Sequence, residues 1–221
     1  MKRKITIALD GPSGSGKSTI AKALSKKLDI LYLDTGAMYR ACGLKAEKSG
    51  ISCKDEKGVM SFINDIDLKI VYSDGVQHTI LDGEDVSKAI RRNEVSMLAS
   101  DISALKCVRL KMVELQRQIA GEMSCVLDGR DIGTHVLPNA DFKFFITASS
   151  DVRAERRRKE LLFRGQEVSF ETIKKEIEQR DFNDSHREFA PLRKADDAVE
   201  IDTSDMTPDE VLDKILAITG V

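Results

Sequence analysis

Ile5-Thr6-Ile7-Ala8-Leu9-Asp10-Gly11-Pro12-Ser13-Gly14-Ser15-Gly16-Lys17-Ser18-Thr19 is the stretch whose reading decides the fold. Its first five residues are a short, β-branched apolar run, too short for a helix and suited to a buried strand. A Gly/Ser-rich turn follows. Ile20, Leu24 and Leu28 then recur every four residues, so a helix begins near Lys17. Gly11-Pro12-Ser13-Gly14-Ser15-Gly16-Lys17-Ser18 fits G-x-x-x-x-G-K-[ST]. Its glycines reach positive φ with no Cβ in the way, so backbone N–H groups can curl around phosphate oxygens. The helix points the positive end of its dipole at the same anion. Lys17 is placed to reach β- and γ-phosphates, Ser18 to touch Mg2+, and Thr19 to add a hydroxyl contact. Such a match arises by chance in about 1% of chains of this length. The preceding strand and following helix lower that figure further.

Outward from this stretch, short apolar runs recur at residues 30–33, 124–127, 142–147 and 198–201, each beside a helical segment. Buried strands alternating with helices give an α/β fold, a parallel sheet with helices on both faces. The middle differs. Leu68, Ile70 and Tyr72 alternate, Ser73-Asp74-Gly75 is a turn, Val76, His78 and Ile80 alternate again, and Asp82-Gly83 is a second turn signal. This reads as an antiparallel hairpin with a third short strand, a small insert on the parallel core. Leu105, Val108, Met112, Leu115 and Ile119 then follow helical spacing. Thr207, Pro208 and Glu210 mark a capping-box start for a last helix.

Composition narrows the function classes. The chain has 221 residues, and its 35 Lys+Arg against 37 Asp+Glu give a net charge of −2. That balance argues against a nucleic-acid coat or a polybasic membrane anchor. With 41% hydrophobic and 33% charged residues the chain can fill a core and solvate its surface, so disorder, collagen and coiled coil are excluded. No apolar run approaches the ~18 residues of a membrane span. The Met1-Lys2-Arg3-Lys4-Ile5 start is not a secretory signal, because its apolar stretch ends at Asp10. Cys42, Cys53, Cys107 and Cys125 form no CxxC pair, and the three histidines make no zinc pattern with them. Free thiols suit a reducing cytoplasm.

A phosphate loop serves GTPases, ATPase motors and small-molecule kinases. No N-K-x-D guanine reader is present, and a motor needs a larger chain, which leaves small kinases. The acceptor side is found at strand ends, where ligands of open α/β sheets bind. Leu33-Asp34-Thr35-Gly36-Ala37-Met38-Tyr39-Arg40 supplies a carboxylate, a hydroxyl, an aromatic ring and a guanidinium. Leu127-Asp128-Gly129-Arg130-Asp131-Ile132-Gly133-Thr134 repeats the arrangement. Arg180, Asp184 and Arg187 share one helix face, as do Arg153, Arg156 and Arg157 after Ser150. Taken singly these are ordinary turns and solvated salt-bridged faces. Beside a phosphate loop the second arginine set can close over a triphosphate.

Together, the phosphate loop, the two strand-end segments, the 180–187 helix and Ala190-Pro191-Leu192 resemble bacterial cytidylate kinases over essentially the whole chain. One position varies, since some relatives carry Gly where Ser18 stands. The resemblance implies a five-stranded parallel core and ATP-dependent phosphorylation of CMP and dCMP, with Mg2+. It implies a core at about 1–33, 105–150 and 190–221, a monophosphate-binding part at about 34–104 with its insert at about 66–100, and a lid at about 151–168. The lid helix would carry Arg153, Arg156 and Arg157. Gly11, Pro12, Ser13, Gly14, Ser15, Gly16, Lys17, Ser18 and Thr19 would bind ATP. Arg40 and Arg130 match acceptor-phosphate positions. Thr35, Arg109, Asp131 and Arg187 match positions near the cytosine, and Ser100, Arg180 and Asp184 positions near the sugar. Tyr39 counts with the acceptor-binding residues. Physical chemistry agrees: a carboxylate such as Asp131 accepts from the cytosine N4 amine, and guanidinium groups suit N3 and O2. Uracil reverses that pattern, leaving a donor unpaired, so CMP and dCMP should exceed UMP. The expected partners are small molecules, with neither nucleic acid nor membrane, and the expected state is a cytoplasmic monomer. The rivals are a small kinase for another acceptor and a nucleotide-binding regulatory module without transfer.

Overall fold

Ile7, Ala8 and Leu9 are wholly buried in β1 (Thr6–Asp10), and α1 (Lys17–Leu28) begins at the expected lysine. A computed structural model describes residues 4–73, 75–163 and 165–220. Met1, Lys2 and Arg3, and Asp74 of the expected turn, lie outside the described residues. In chain order come β2 (Leu31–Asp34), α2 (Thr35–Lys48), α3 (Glu56–Ile63), β3 (Leu68–Ser73), β4 (Val76–Leu81), β5 (Glu84–Asp85), a 3-10 turn (Ala89–Arg91), α4 (Asn93–Ile102) and α5 (Lys106–Glu122). Then follow β6 (Cys125–Asp128), a π-helical turn (Ile132–Val136), β7 (Phe142–Thr147), α6 (Ser150–Phe163), α7 (Phe170–His186), β8 (Val199–Asp202) and α8 (Pro208–Thr219).

The parallel sheet has five strands, as expected, and their order is β2-β6-β1-β7-β8. Four strands, β1 among them, run one residue later than their apolar patterns indicate. β2, β6 and β8 end at Asp34, Asp128 and Asp202. The hydrophobic signal stops at the last apolar side chain, but the backbone stays extended through the carboxylate that follows. With Asp10 closing β1, four of these five strands end in Asp, which loads their carboxyl ends with charge.

The chain divides into two compact units. The first comprises residues 1–30 and 125–221. Here β1 lies parallel between β6 and β7, with Leu9 opposite Asp128 and Asp10 opposite Phe145. β8 flanks β7, with Thr147 opposite Asp202. Such parallel neighbours, distant in sequence, require helical crossovers. Ala154 and Leu161 of α6 pack on Ile173 and Ile177 of α7. The expected capping box opens α8, with the Glu210 amide donating to Thr207 Oγ1 at 3.3 Å and the Thr207 amide to Glu210 Oε2 at 2.8 Å.

The second unit is residues 31–124. Its insert is the expected antiparallel sheet, β3-β4-β5, with Leu68 opposite Leu81 and Ser73 opposite Val76. Gly43 lets α2 approach α4 closely, since a Cβ there would lie 3.0 Å from Leu98 Cβ. In α5 the buried stripe is Val108, Arg109, Met112, Val113, Gln116 and Ala120. Leu115 and Ile119, expected in the core, are only half-buried. The helix is rotated so that Arg109 goes inside, where a pure hydrophobic pattern would not put it. Local rules of this kind yield at functional positions.

Candidate active site

The phosphate loop leaves β1 through backbone that only glycine tolerates. Gly11 has φ 143°, and a Cβ there would sit 2.0 Å from the Ile146 carbonyl oxygen. Gly16, at φ 94°, precedes the first turn of α1, and among the described residues no side chain caps that end. The Thr19 amide turns back to the Gly16 carbonyl at 3.0 Å, and an uncapped helix N-terminus of this kind suits an anion. Lys17 is 5% exposed and donates from Nζ to the Pro12 carbonyl at 2.6 Å and to Ser15 Oγ at 3.3 Å. Burial, with Arg130 nearby, lowers its pKa well below the usual lysine value, against Asp128, Asp10 and Asp184. Pro12 and Ser15 are buried, Ser13 is half-buried, and Gly14, Ser18 and Thr19 are exposed. The Thr203 hydroxyl steadies the loop by donating to the Ser15 carbonyl at 3.1 Å.

Ser18 Oγ donates to Asp128 Oδ2 at 2.5 Å. Asp128 closes β6, and sequence reading passed over it as a site residue. The signal was present: an apolar strand ending in Asp, paired with the P-loop hydroxyl, is the usual arrangement for phosphate-bound Mg2+.

The turn after β6 gathers the first-unit residues that the sequence analysis expects on the acceptor side. Arg130 Nε donates to Asp184 Oδ2 at 2.8 Å. Arg187 sits 3.5 Å from Asp131 Oδ1 and 3.9 Å from Asp184 Oδ1, and donates from Nε to the Ala190 carbonyl at 2.7 Å. Burial alone would raise the Asp184 pKa, but Arg130, Arg180 and Arg187 together hold it below the usual carboxylate value. The three groups expected on one helix face do converge, although α7 ends at His186 and Arg187 is its C-cap. Asp10 was not singled out from sequence. It is 5% exposed and accepts from the Ile132 and Gly133 amides at 2.8 and 2.7 Å. Burial pushes its carboxyl up to about 7, with Asp131 adding to the rise and the two amides and Lys17 opposing it.

In the second unit Asp34 caps α2, accepting from the Ala37 amide at 2.9 Å. The same carboxylate binds Arg40 Nη2 at 2.9 Å and Arg91 Nη2 at 2.8 Å. Burial raises the Asp34 pKa, and these two cations bring it below its ordinary value. Gly36 makes room for this, since a Cβ there would lie 3.2 Å from Arg40 Nη1. Arg91 had no sequence signal, being a lone arginine in a 3-10 turn. Thr35 and Tyr39 are buried on α2. Arg109, 1% exposed, places its guanidinium carbon 5.2 Å from the Tyr39 ring centroid, a cation–π contact. It also donates to the Ser103 carbonyl at 3.3 Å, and Ser103 Oγ donates to the Ser100 carbonyl at 2.9 Å.

A family model described as Cytidylate kinase matches residues 7–220. The chain belongs to the cytidylate kinase family. It is 50% identical over 216 residues to a Cytidylate kinase of Caldicellulosiruptor bescii, covering 98% of this chain and 96% of that one. It is 45% identical over 223 residues to a Cytidylate kinase of Lactobacillus johnsonii, covering 99% and 97%. Among solved structures it resembles an uncharacterized protein from Eubacterium ventriosum, with a TM-score of 0.55, 15% identity and coverage of 98% and 99%. It also resembles the shikimate kinase of Acinetobacter baumannii, with a TM-score of 0.50, 15% identity and coverage of 99% and 94%. At these identities the structural likeness shows the fold alone.

Within this cytidylate kinase family member, the arginines of α6 are held in specific contacts. Arg153 donates to the Ala148 carbonyl at 2.9 Å and the Ser13 carbonyl at 3.1 Å, and pairs with Asp181 at 2.6 Å. It ties α6 to the phosphate loop and to α7. Arg156 donates to the Thr203 carbonyl at 2.6 Å and to Thr203 Oγ1 at 3.1 Å. Arg157 pairs with Glu160 at 2.8 Å. No helix among the described residues is long and apolar enough to cross a membrane.

Proposed function

We propose that the chain transfers the γ-phosphate of ATP to CMP or dCMP, giving CDP or dCDP and ADP. The family match over residues 7–220 carries this reading. The clustering of Lys17, Asp128, Arg130 and Asp184 at the strand ends of the first unit supports it.

The acceptor is a phosphate whose second pKa is near 6, so at pH 7 it is largely dianionic and needs no general base. The barrier is the approach of two anions. Residues 11–19 wrap the donor phosphates, which offer the Lys17 ammonium, buried at a cost, the negative partner that offsets its desolvation. Ser18 and Asp128 bring a hydroxyl and a carboxylate together at the phosphate loop, the hard oxygen donors that suit a Mg2+ ion. When bound, that ion would neutralise charge on the β- and γ-phosphates. Arg130, oriented by Asp184, offers its remaining donors to the acceptor phosphate, and Arg40, held by Asp34, is assigned the same task. Asp131 and Arg187, with Thr35 and Arg109, are assigned to the cytosine, Ser100, Arg180 and Asp184 to the sugar, and Tyr39 to the acceptor site as a whole. We assign residues 151–168 as the lid, with Arg153, Arg156 and Arg157 exchanging present partners for phosphate oxygens on closure. Residues 34–104, with the insert at 66–100, are the proposed monophosphate-binding part, and 1–33, 105–150 and 190–221 the core. The protein is proposed to act as a cytoplasmic monomer without nucleic-acid partners.

The test is ADP release from ATP and Mg2+ against CMP, dCMP, UMP, AMP, GMP and dTMP. Turnover confined mainly to CMP and dCMP supports the assignment. Turnover with another acceptor overturns the base-reading residues, and ATP binding without acceptor-dependent ADP overturns the transfer.

A further inference from the structure

We infer that Asp10 is a positioning residue for the acceptor side: its carboxylate holds the main chain just after Asp131 and so sets the turn that presents Arg130 and Asp131. The inference rests on the proposed reading of that turn and extends it to a residue in a different strand.

Ile7, Ala8 and Leu9 of β1 are apolar and buried, and a carboxylate following them at 5% exposure is costly to retain. Both of its oxygens are used. Oδ1 accepts from the Ile132 amide at 2.8 Å and Oδ2 from the Gly133 amide at 2.7 Å. These amides open the π-helical turn, where no carbonyl one turn back can receive them. The turn's later amides, at His135 and Val136, return to the Asp131 carbonyl at 2.8 and 3.0 Å. Asp131 is thus gripped from both ends of one turn.

The junction has little slack. A Cβ on Gly133 would meet Lys143 Cδ at 3.1 Å and Asp10 Oδ2 at 3.4 Å. Lys143 is itself committed, donating to the Pro138 carbonyl at 2.5 Å and pairing with Asp197. On the other side, Arg130 is fixed by Asp184 and Asp131 lies beside Arg187. Displacing residues 132–133 therefore displaces Arg130 and Asp131, whereas the phosphate loop keeps its own ties, the Ser13 carbonyl to Arg153 and the Ser15 carbonyl to Thr203.

Asp10→Asn tests this in the full chain. Asn keeps one acceptor but turns an N–H donor toward the second amide. We expect the KM for CMP to rise at least tenfold and the KM for ATP to stay within threefold. Amide exchange in peptides spanning residues 129–136 should quicken at least tenfold, with α8 unchanged. Equal rises in both KM values, or unchanged exchange at 129–136, overturn the inference. If Asp10→Asn does not fold, Gly133→Ala crowds the same junction, and the same asymmetry is expected at smaller size; a symmetric rise overturns the inference equally. Should the wild type show no CMP-dependent turnover, the functional reading fails, and the exchange comparison alone decides the role of Asp10.

Discussion

Asp184→Asn removes the charge on which three arginines converge. Asp184 is 6% exposed, lies 2.8 Å from Arg130 Nε and 3.9 Å from Arg187, and is held ionised by Arg130, Arg180 and Arg187 against burial. Breaking a buried ion pair from one side costs about 3–5 kcal/mol. The Arg130 side chain is 18% exposed and the amide still offers it an acceptor, so the lower end, about 3 kcal/mol, is expected. At about 2–4 °C per kcal/mol for a chain of this size, Tm should fall by about 6–12 °C at pH 7.5. The pH dependence has a definite sign. The folded pKa is depressed, so the wild type holds this contribution above the ordinary carboxylate pKa and loses it as pH falls toward the lower folded value. The Tm gap between wild type and variant should therefore narrow below about pH 4. Calorimetry across pH 3–8 measures this, and a double variant with Arg130→Met should destabilise by less than the sum of the singles. A Tm within 1 °C of wild type at pH 7.5, or strictly additive effects, would refute the claim that Asp184 organises the cluster.

Three further outcomes follow from the same geometry. Lys17→Ala should cut kcat by about 10²–10³-fold, the scale on which one transition-state charge contact acts, and near-normal turnover in a steady-state assay would exclude that role. Asp131→Ala should raise the KM for CMP far more than that for ATP and erode the preference for CMP over UMP; equal weakening of both substrates would make the residue structural. Asp128→Asn should raise the Mg2+ concentration giving half-maximal rate at least tenfold, and an unchanged Mg2+ titration would remove Asp128 from the metal site.

The phosphate loop was legible because its requirements are local. Gly11 must avoid the Ile146 carbonyl, Gly16 must turn the chain into α1, and Lys17 must open that helix, and each leaves a fixed letter in a short window. The insert was legible for a similar reason, since two-residue alternation between turn signals leaves one register. What escaped were residues whose partners lie far along the chain. Asp10 meets Ile132 and Gly133, Ser18 meets Asp128, and Asp34 meets Arg91, all through strand order that no local pattern encodes. Asp10 was read only as the stop of its strand, and Asp34 and Asp128 as carboxylates just beyond theirs, because hydrophobicity marks where burial ends and not where the ladder ends. Arg109 misled in the opposite way. Its placement in the core stripe of α5 rotates that helix relative to its apolar periodicity.

The central claim is transfer of one phosphoryl group from ATP to a cytidine monophosphate. Incubation with γ-labelled ATP, Mg2+ and CMP, followed by separation of products, tests it most directly. The account predicts label in the β-phosphate of CDP, in a one-to-one ratio with ADP and with little free phosphate. Label appearing as inorganic phosphate, or in no nucleotide other than ATP, would contradict it.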